Sequence, residues 1–132
     1  MNHQINEALK NIVDLHIWIE DVFTNPNAQD SLKKLLSSFD QNFKMITTQG
    51  HCVNLTEITA LFNENVGKKP SLKTTPLNIT PLFEFENHYW IQYQEHQQFH
   101  QLHTLRISTV CIKIEDDQCY WVYLHETPVQ LT

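Results

Sequence analysis

The chain has 132 residues, a formal net charge of −6, 41% hydrophobic residues and only two glycines. That is one ordinary domain with enough apolar material for a core, and it excludes a disordered or low-complexity chain. Its few Lys and Arg are scattered, so nothing predicts a basic footprint for nucleic acid or an anionic membrane surface.

Residues 3–23 carry Ile5, Ala8, Leu9, Ile12, Leu15, Ile19, Val22 and Phe23 on one side at helical spacing, with Glu7, Lys10, Asp14 and Asp21 opposite. Asn25-Pro26-Asn27 ends that helix, and 30–37 predicts a short second one started by Asp30 or Ser31. The stretch SFDQNFKMITTQG alternates Phe43, Met45 and Thr47 against Lys44, Ile46 and Thr48, which predicts a strand and a turn at Gln49-Gly50. NLTE at 54–57 is a capping-box pattern before Ile58, Leu61 and Phe62, with Gly67 and Pro70 as the stop. Residues 71–86, with Pro76 and Pro81, predict an edge or bulged strand, followed by strands over 88–97, 102–115 and 119–127. Helices first and an antiparallel sheet afterwards is α+β order, and the domain spans 1–132.

The N-terminus lacks the basic-then-apolar order of a signal peptide, and no apolar run is long enough to span a bilayer. Cys52, Cys111 and Cys119 are an odd set without C-x-x-C spacing, which argues against a disulfide framework and a thiolate zinc site. The expected location is therefore a reducing, cytoplasmic one. His96, His100 and His103 lie on a polar strand-and-loop segment without fixed geometry, so no metal and no cofactor is expected. Trp18, Trp90 and Trp121 read as packing or dimer contacts.

Several polar side chains are aimed inward. In HYWIQYQEHQ, Glu95 shares a side with Ile91 and Tyr93. With Asp116-Asp117 as a two-residue loop, Glu115 faces Gln118, and regular pairing sets Ile112 opposite Trp121, Val110 opposite Tyr123 and Ser108 opposite His125. The preceding hairpin pairs Glu95 with Arg106, Tyr93 with Ser108 and Ile91 with Val110, although its loop leaves that register open. Glu126 then points outward. On the first helix, His16 lies in the apolar stripe and Glu20 inside its edge. Buried polar groups need partners, so one shared cluster is expected: Arg106 neutralising Glu95 or Glu20, with His16, Tyr93, Ser108, Tyr123 and His125 completing it.

LHIWIEDVF, SSFDQNFKMITTQGHCVN, IQYQEHQ, TLRIST and WVYLHETP together resemble the nuclear-transport-factor-2-like superfamily, in its SnoaL-like and calmodulin-kinase-association-domain-like bacterial branches. The resemblance implies a cone-shaped, cystatin-like fold, with N-terminal helices packed in a strongly curved antiparallel sheet and a pocket at the wide end. It also implies a homodimer through the outer sheet face. The family's Asp-based catalytic pattern does not carry over, since Asp14 and Asp21 fall on the exposed helix face. The leading expectation is a pocket for a small organic ligand bearing an anionic or carbonyl oxygen, lined by His16, Glu20, Met45, Tyr93, Glu95, Arg106, Ser108, Tyr123 and His125. The alternatives are a proton-transfer enzyme or hydrolase with His16, Glu20 or Glu95 as catalytic candidates, and a purely structural cluster in a homodimerisation module.

Overall fold

A computed structural model describes residues 3–131. The elements run α1 (His3–Thr24), α2 (Gln29–Leu36), β1 (Phe39–Ile46), β2 (Cys52–Asn54), α3 (Leu55–Glu64), β3 (Lys73–Phe85), β4 (His88–Phe99), β5 (Leu102–Glu115) and β6 (Gln118–Val129). One six-stranded sheet has the order β2-β1-β6-β5-β4-β3. It is mixed, because β1 lies parallel to β6 while every other neighbouring pair is antiparallel. Between β1 and β6 in the chain come β2, α3 and the antiparallel strands β3, β4 and β5, and β6 closes that meander beside β1.

The apolar stripe of α1 explains its place. Ile5, Ala8, Ile12, Leu15 and Val22 are buried against Tyr89, Ile91, Tyr93, Val110, Ile112 and Trp121 on the sheet's inner face. Val13 and Ile17, on the other side of α1, remain exposed. Two polar ties fix the helix: Trp121 Nε1 donates to Asn11 Oδ1 at 2.6 Å, and Tyr89 Oη donates to Gln4 Oε1 at 2.8 Å.

The local signals act as their chemistry requires, with one exception. Asn54 accepts from the Glu57 backbone N–H at 2.9 Å, and Glu57 Oε1 accepts from the Asn54 N–H at 3.0 Å, closing the capping box of α3. The exception is α2, which starts at Gln29 and has no side-chain cap. The preceding residue is the wholly buried Ala28, whose position serves packing.

The long hairpins follow from two-residue turns. Glu86 and Asn87, like Asp116 and Asp117, hold positive φ at both turn positions, the backbone that matches the twist of antiparallel strands. The β4–β5 hairpin stays paired to Phe99 and Leu102, so its loop is short and the register is unambiguous. Glu95 does face Arg106, Tyr93 faces Ser108 and Ile91 faces Val110. β3 is the edge strand and is irregular twice, between Leu77 and Thr80 and between Pro81 and Phe83, around its prolines.

The β5–β6 hairpin departs from regular pairing. Ile112 faces Trp121 as expected, but Cys111 faces Tyr123, so Val122 is an extra residue in a β-bulge. Beyond the bulge every β6 side chain changes face. Ser108 is opposite Glu126, and Thr109 is opposite His125.

Candidate functional site

The bulge decides which groups meet inside. Glu126, expected outside, is 5% exposed on the inner face, whereas His125 is exposed and Tyr123 lies with it on the outer face. Tyr123 Oη and His125 Nδ1 are 3.1 Å apart there and line an outer groove with Gln92, Ile107, Thr109 and Thr127. These two expected site residues are therefore corrected to the outer surface. The reason is the single unpaired residue, since strand side chains alternate faces with period two.

Inside, α1 and α3 stand off the sheet and leave a cavity of about 160 Å³. Its walls are apolar over most of their extent, including Leu15, Ile19, Phe43, Met45, Phe62, Trp121 and Leu124. One end is polar, formed by His16, Tyr93, Glu95, Gln97, Arg106 and Glu126. His16, Met45, Tyr93, Glu95 and Arg106 are thus brought together as the sequence predicts.

Glu20 and Ser108 do not line the cavity. Glu20 Oε1 accepts from the Thr74 backbone N–H at 2.8 Å and ties α1 to the edge strand β3. Ser108 is fully buried between its register partners Tyr93 and Glu126, and its hydroxyl has no well-formed hydrogen bond among the described residues.

His16 and Glu95 form a buried pair, Nε2 to Oε1 at 3.1 Å, with both side chains almost wholly enclosed. The ring's Nδ1 lies 2.7 Å from the Ile12 carbonyl oxygen, which can only accept, so Nδ1 carries a proton. A neutral ring would then offer a lone pair at Nε2 to a carboxylate, which is also only an acceptor. The pair must hold one more proton. Burial opposes charge on both groups, but their hydrogen bond and mutual attraction outweigh it, holding the imidazole above and the carboxyl below their ordinary values. The Ile12 carbonyl adds to the first effect, and Arg106 and Gln97 add to the second. His16 is therefore an imidazolium with both N–H groups committed, and it has no lone pair with which to act as a base.

Arg106 pairs across to the other neighbouring strand. Its Nη1 donates to Glu126 Oε1 at 3.0 Å, so the expected Glu95–Arg106 ion pair is replaced by one with Glu126. Burial pushes the Glu126 carboxyl up; Arg106 offsets part of that, the nearby Glu95 charge adds to it, and the result is about 7. Tyr93, its ring edge-on to His16 with centroids 5.3 Å apart, is pushed well above the ordinary phenol value by burial and then by the charge of Glu95. It is a neutral hydroxyl at physiological pH.

Glu126 and Gln97 are the polar groups that sequence reasoning missed. Gln97 donates to Glu95 Oε2 from the same strand face two residues on, a relation legible in the strand period. Glu126 was concealed by the bulge.

Among the described residues no group of three or more His, Cys, Asp or Glu side chains could hold a metal ion. His96 and His103 touch, Nε2 to Nδ1 at 3.1 Å, without a third ligand. No helix of the described residues is long and apolar enough to cross a membrane.

No protein-family model and no functionally curated protein matches the chain. Solved structures do. An NTF-2-like protein of unknown function from Pseudomonas aeruginosa is 26% identical over 92% of this chain and 97% of its own, with a TM-score of 0.86. The CamKII hub homology domain of Chlamydomonas reinhardtii is 16% identical over 96% of this chain and 99% of its own, with a TM-score of 0.74. A protein from Novosphingobium aromaticivorans provisionally named scytalone dehydratase is 9% identical over 98% of this chain and 86% of its own, also at 0.74. The structural neighbours are NTF2-like proteins, and the α+β fold with its curved mixed sheet is theirs.

Proposed function

We propose that this chain, nuclear-transport-factor-2-like in fold, binds one small organic molecule between α1, α3 and the sheet. The ligand carries an apolar body about the size of a single ring and one oxygen-bearing end, carbonyl or anionic. The observation that carries the reading is the division of the cavity: apolar walls over most of about 160 Å³, with the ionisable groups gathered at one end. An engineered apolar cavity of roughly 150 Å³ in another protein takes up benzene, which sets the size class.

Binding to the native state alone raises the unfolding temperature by mass action. A panel of one-ring ketones, phenols and carboxylates, followed by thermal denaturation, should contain members that do so. Leu124→Trp, which fills the cavity and leaves the polar groups in place, should keep the fold and lose the response. Absence of any response across the panel, with no co-purified molecule in a native mass spectrum, overturns the reading.

A proton-transfer enzyme is the second reading, and Glu126 favours it. A buried carboxyl lifted to about 7 beside a cavity is suited to exchanging protons near neutrality. The dehydratase-named neighbour supports this reading by fold alone. Turnover of a bound panel member, abolished in Glu126→Gln, distinguishes the two.

We also infer a homodimer through the outer sheet face. Phe83, 61% exposed, stacks on Trp90 with centroids 5.8 Å apart, and Trp90 meets Tyr123. The outward row of β4 from His88 to Gln98 and that of β5 from His103 to Lys113 contain no Asp or Glu, although the chain is acidic overall. Two such faces can meet without charge repulsion. Sedimentation should show a dimer that Trp90→Glu dissociates; a monomeric parent protein overturns this inference.

A further inference from the structure

With both carboxyls ionised, the polar end of the cavity is balanced in charge. His16 as imidazolium and Arg106 supply two positive charges, and Glu95 and Glu126 supply two negative ones. A ligand carboxylate entering beside these buried groups would leave one negative charge uncompensated, which burial makes costly. An anion therefore needs a compensating proton, and the geometry shows which group can take it.

The ionisable groups that face Glu126 are already committed. On α1, His16 already carries its second proton. On β4, Tyr93 is a neutral phenol, and Glu95 is held by two donors, His16 Nε2 and Gln97 Nε2. On β5, Arg106 is permanently charged. α3 and β1 present apolar side chains here, such as Ile58 and Met45. Of the two carboxylates, Glu126 is the one held by a single hydrogen bond among the described residues, Oε1 accepting from Arg106 Nη1.

We propose that the cavity takes up a small one-ring carboxylate together with one proton, which Glu126 receives as the Arg106 guanidinium passes from Glu126 to the ligand. The proton comes from solvent and ends on the Glu126 carboxyl; the N–H donor of Arg106 exchanges one carboxylate for another, and the buried cluster stays neutral. This deepens the ligand-binding reading above and rests on it. With the Glu126 carboxyl at about 7, the protonation costs little near neutral pH.

Isothermal titration with benzoate, and with benzamide as its neutral isostere, tests the proposal in buffers of differing ionisation enthalpy. At about pH 8.5 benzoate should take up about one proton, and its affinity should fall about tenfold per pH unit above 7; at about pH 5.5 uptake should approach zero. Benzamide should bind without proton uptake at any pH. Glu126→Gln should bind benzoate with no proton uptake and with an affinity independent of pH.

Benzoate binding at high pH without a proton overturns the proposal. Proton uptake that persists in Glu126→Gln does so too, because the proton would then sit on the ligand or another group. Benzamide binding while benzoate fails at every pH overturns the proposal and leaves the ligand-binding reading standing. If neither probe nor any other panel member binds, both fall.

Discussion

His16 Nε2 meets Glu95 Oε1 across 79 residues of sequence, and the same ring's Nδ1 is bound to the Ile12 carbonyl in its own helix. The pair therefore fixes both the position and the rotation of α1 over β4. Removing one member strands the other in a dry site. His16→Leu or Glu95→Leu alone should cost about 3–5 kcal/mol, whereas the double replacement should recover much of that loss. Urea denaturation of the four proteins in this cycle measures it, and additive losses would show that the two groups do not depend on each other.

Stability should fall as pH rises from the acid side to neutrality. The folded Glu126 carboxyl titrates at about 7, against an unfolded value of about 4.3. Its contribution is present below the unfolded value and is lost as pH rises through the folded one, a span of roughly 3 kcal/mol. The depressed Glu95 carboxyl works in the opposite sense, its contribution disappearing as pH drops below the ordinary carboxylate range. His16, held high, loses its contribution as pH climbs through its raised value. The opposing carboxyl effects balance near the unfolded carboxylate value, so the expected maximum lies at about pH 4.5. Glu126→Gln should remove the fall between there and neutrality, and unfolding midpoints that rise in the parent protein from pH 5 to 7 would contradict this.

What could be read from sequence follows the range of the forces involved. The stripe on α1, the capping box at Asn54 and Glu57 and the paired aspartates of the last turn are local patterns, and each led to the right element. The pairing of Glu95 with Arg106 was legible because β4 and β5 are regular throughout. Glu126 was not, because nothing local marks Val122 as the residue that leaves the ladder: Trp121, Val122, Tyr123 and Leu124 are all apolar, so either parity buries something suitable. The parallel pairing of β1 with β6 was missed for a related reason, since strand partners far apart in sequence leave no trace in the pattern of either.

The thiols should separate by environment. Cys52 is exposed, while burial pushes Cys111 and Cys119 up to about 11. Since the thiolate is the reacting form, a native protein offered a disulfide reagent should show one fast thiol and two slow ones, and denaturant should make all three equal. Cys52→Ser should abolish the fast phase. Two fast thiols in the native protein would place Cys111 or Cys119 differently.

Gly67 closes the frame around the cavity. Its N–H donates to the Val22 carbonyl at 2.8 Å, and Lys69 N–H donates to the Phe23 carbonyl at 2.8 Å, so the chain leaving α3 satisfies carbonyls that the last turn of α1 leaves open. Gly67 has a φ of +71°, and a Cβ there would lie 2.7 Å from Pro26 Cα and 2.9 Å from Pro26 N, backbone atoms that cannot swing aside. Gly50 offers the control: its φ is +80°, but a Cβ there meets nothing within 4 Å. Gly50→Ala should cost about 1 kcal/mol from backbone strain alone, and Gly67→Ala about 2 kcal/mol or more from strain and collision together. Because Phe23 and Phe62 line the cavity on the two helices that this turn joins, Gly67→Ala should also weaken the thermal response to bound probes, and Gly50→Ala should not. Equal losses in the two variants would mean that Pro26 yields and that the turn does not hold α3 against α1.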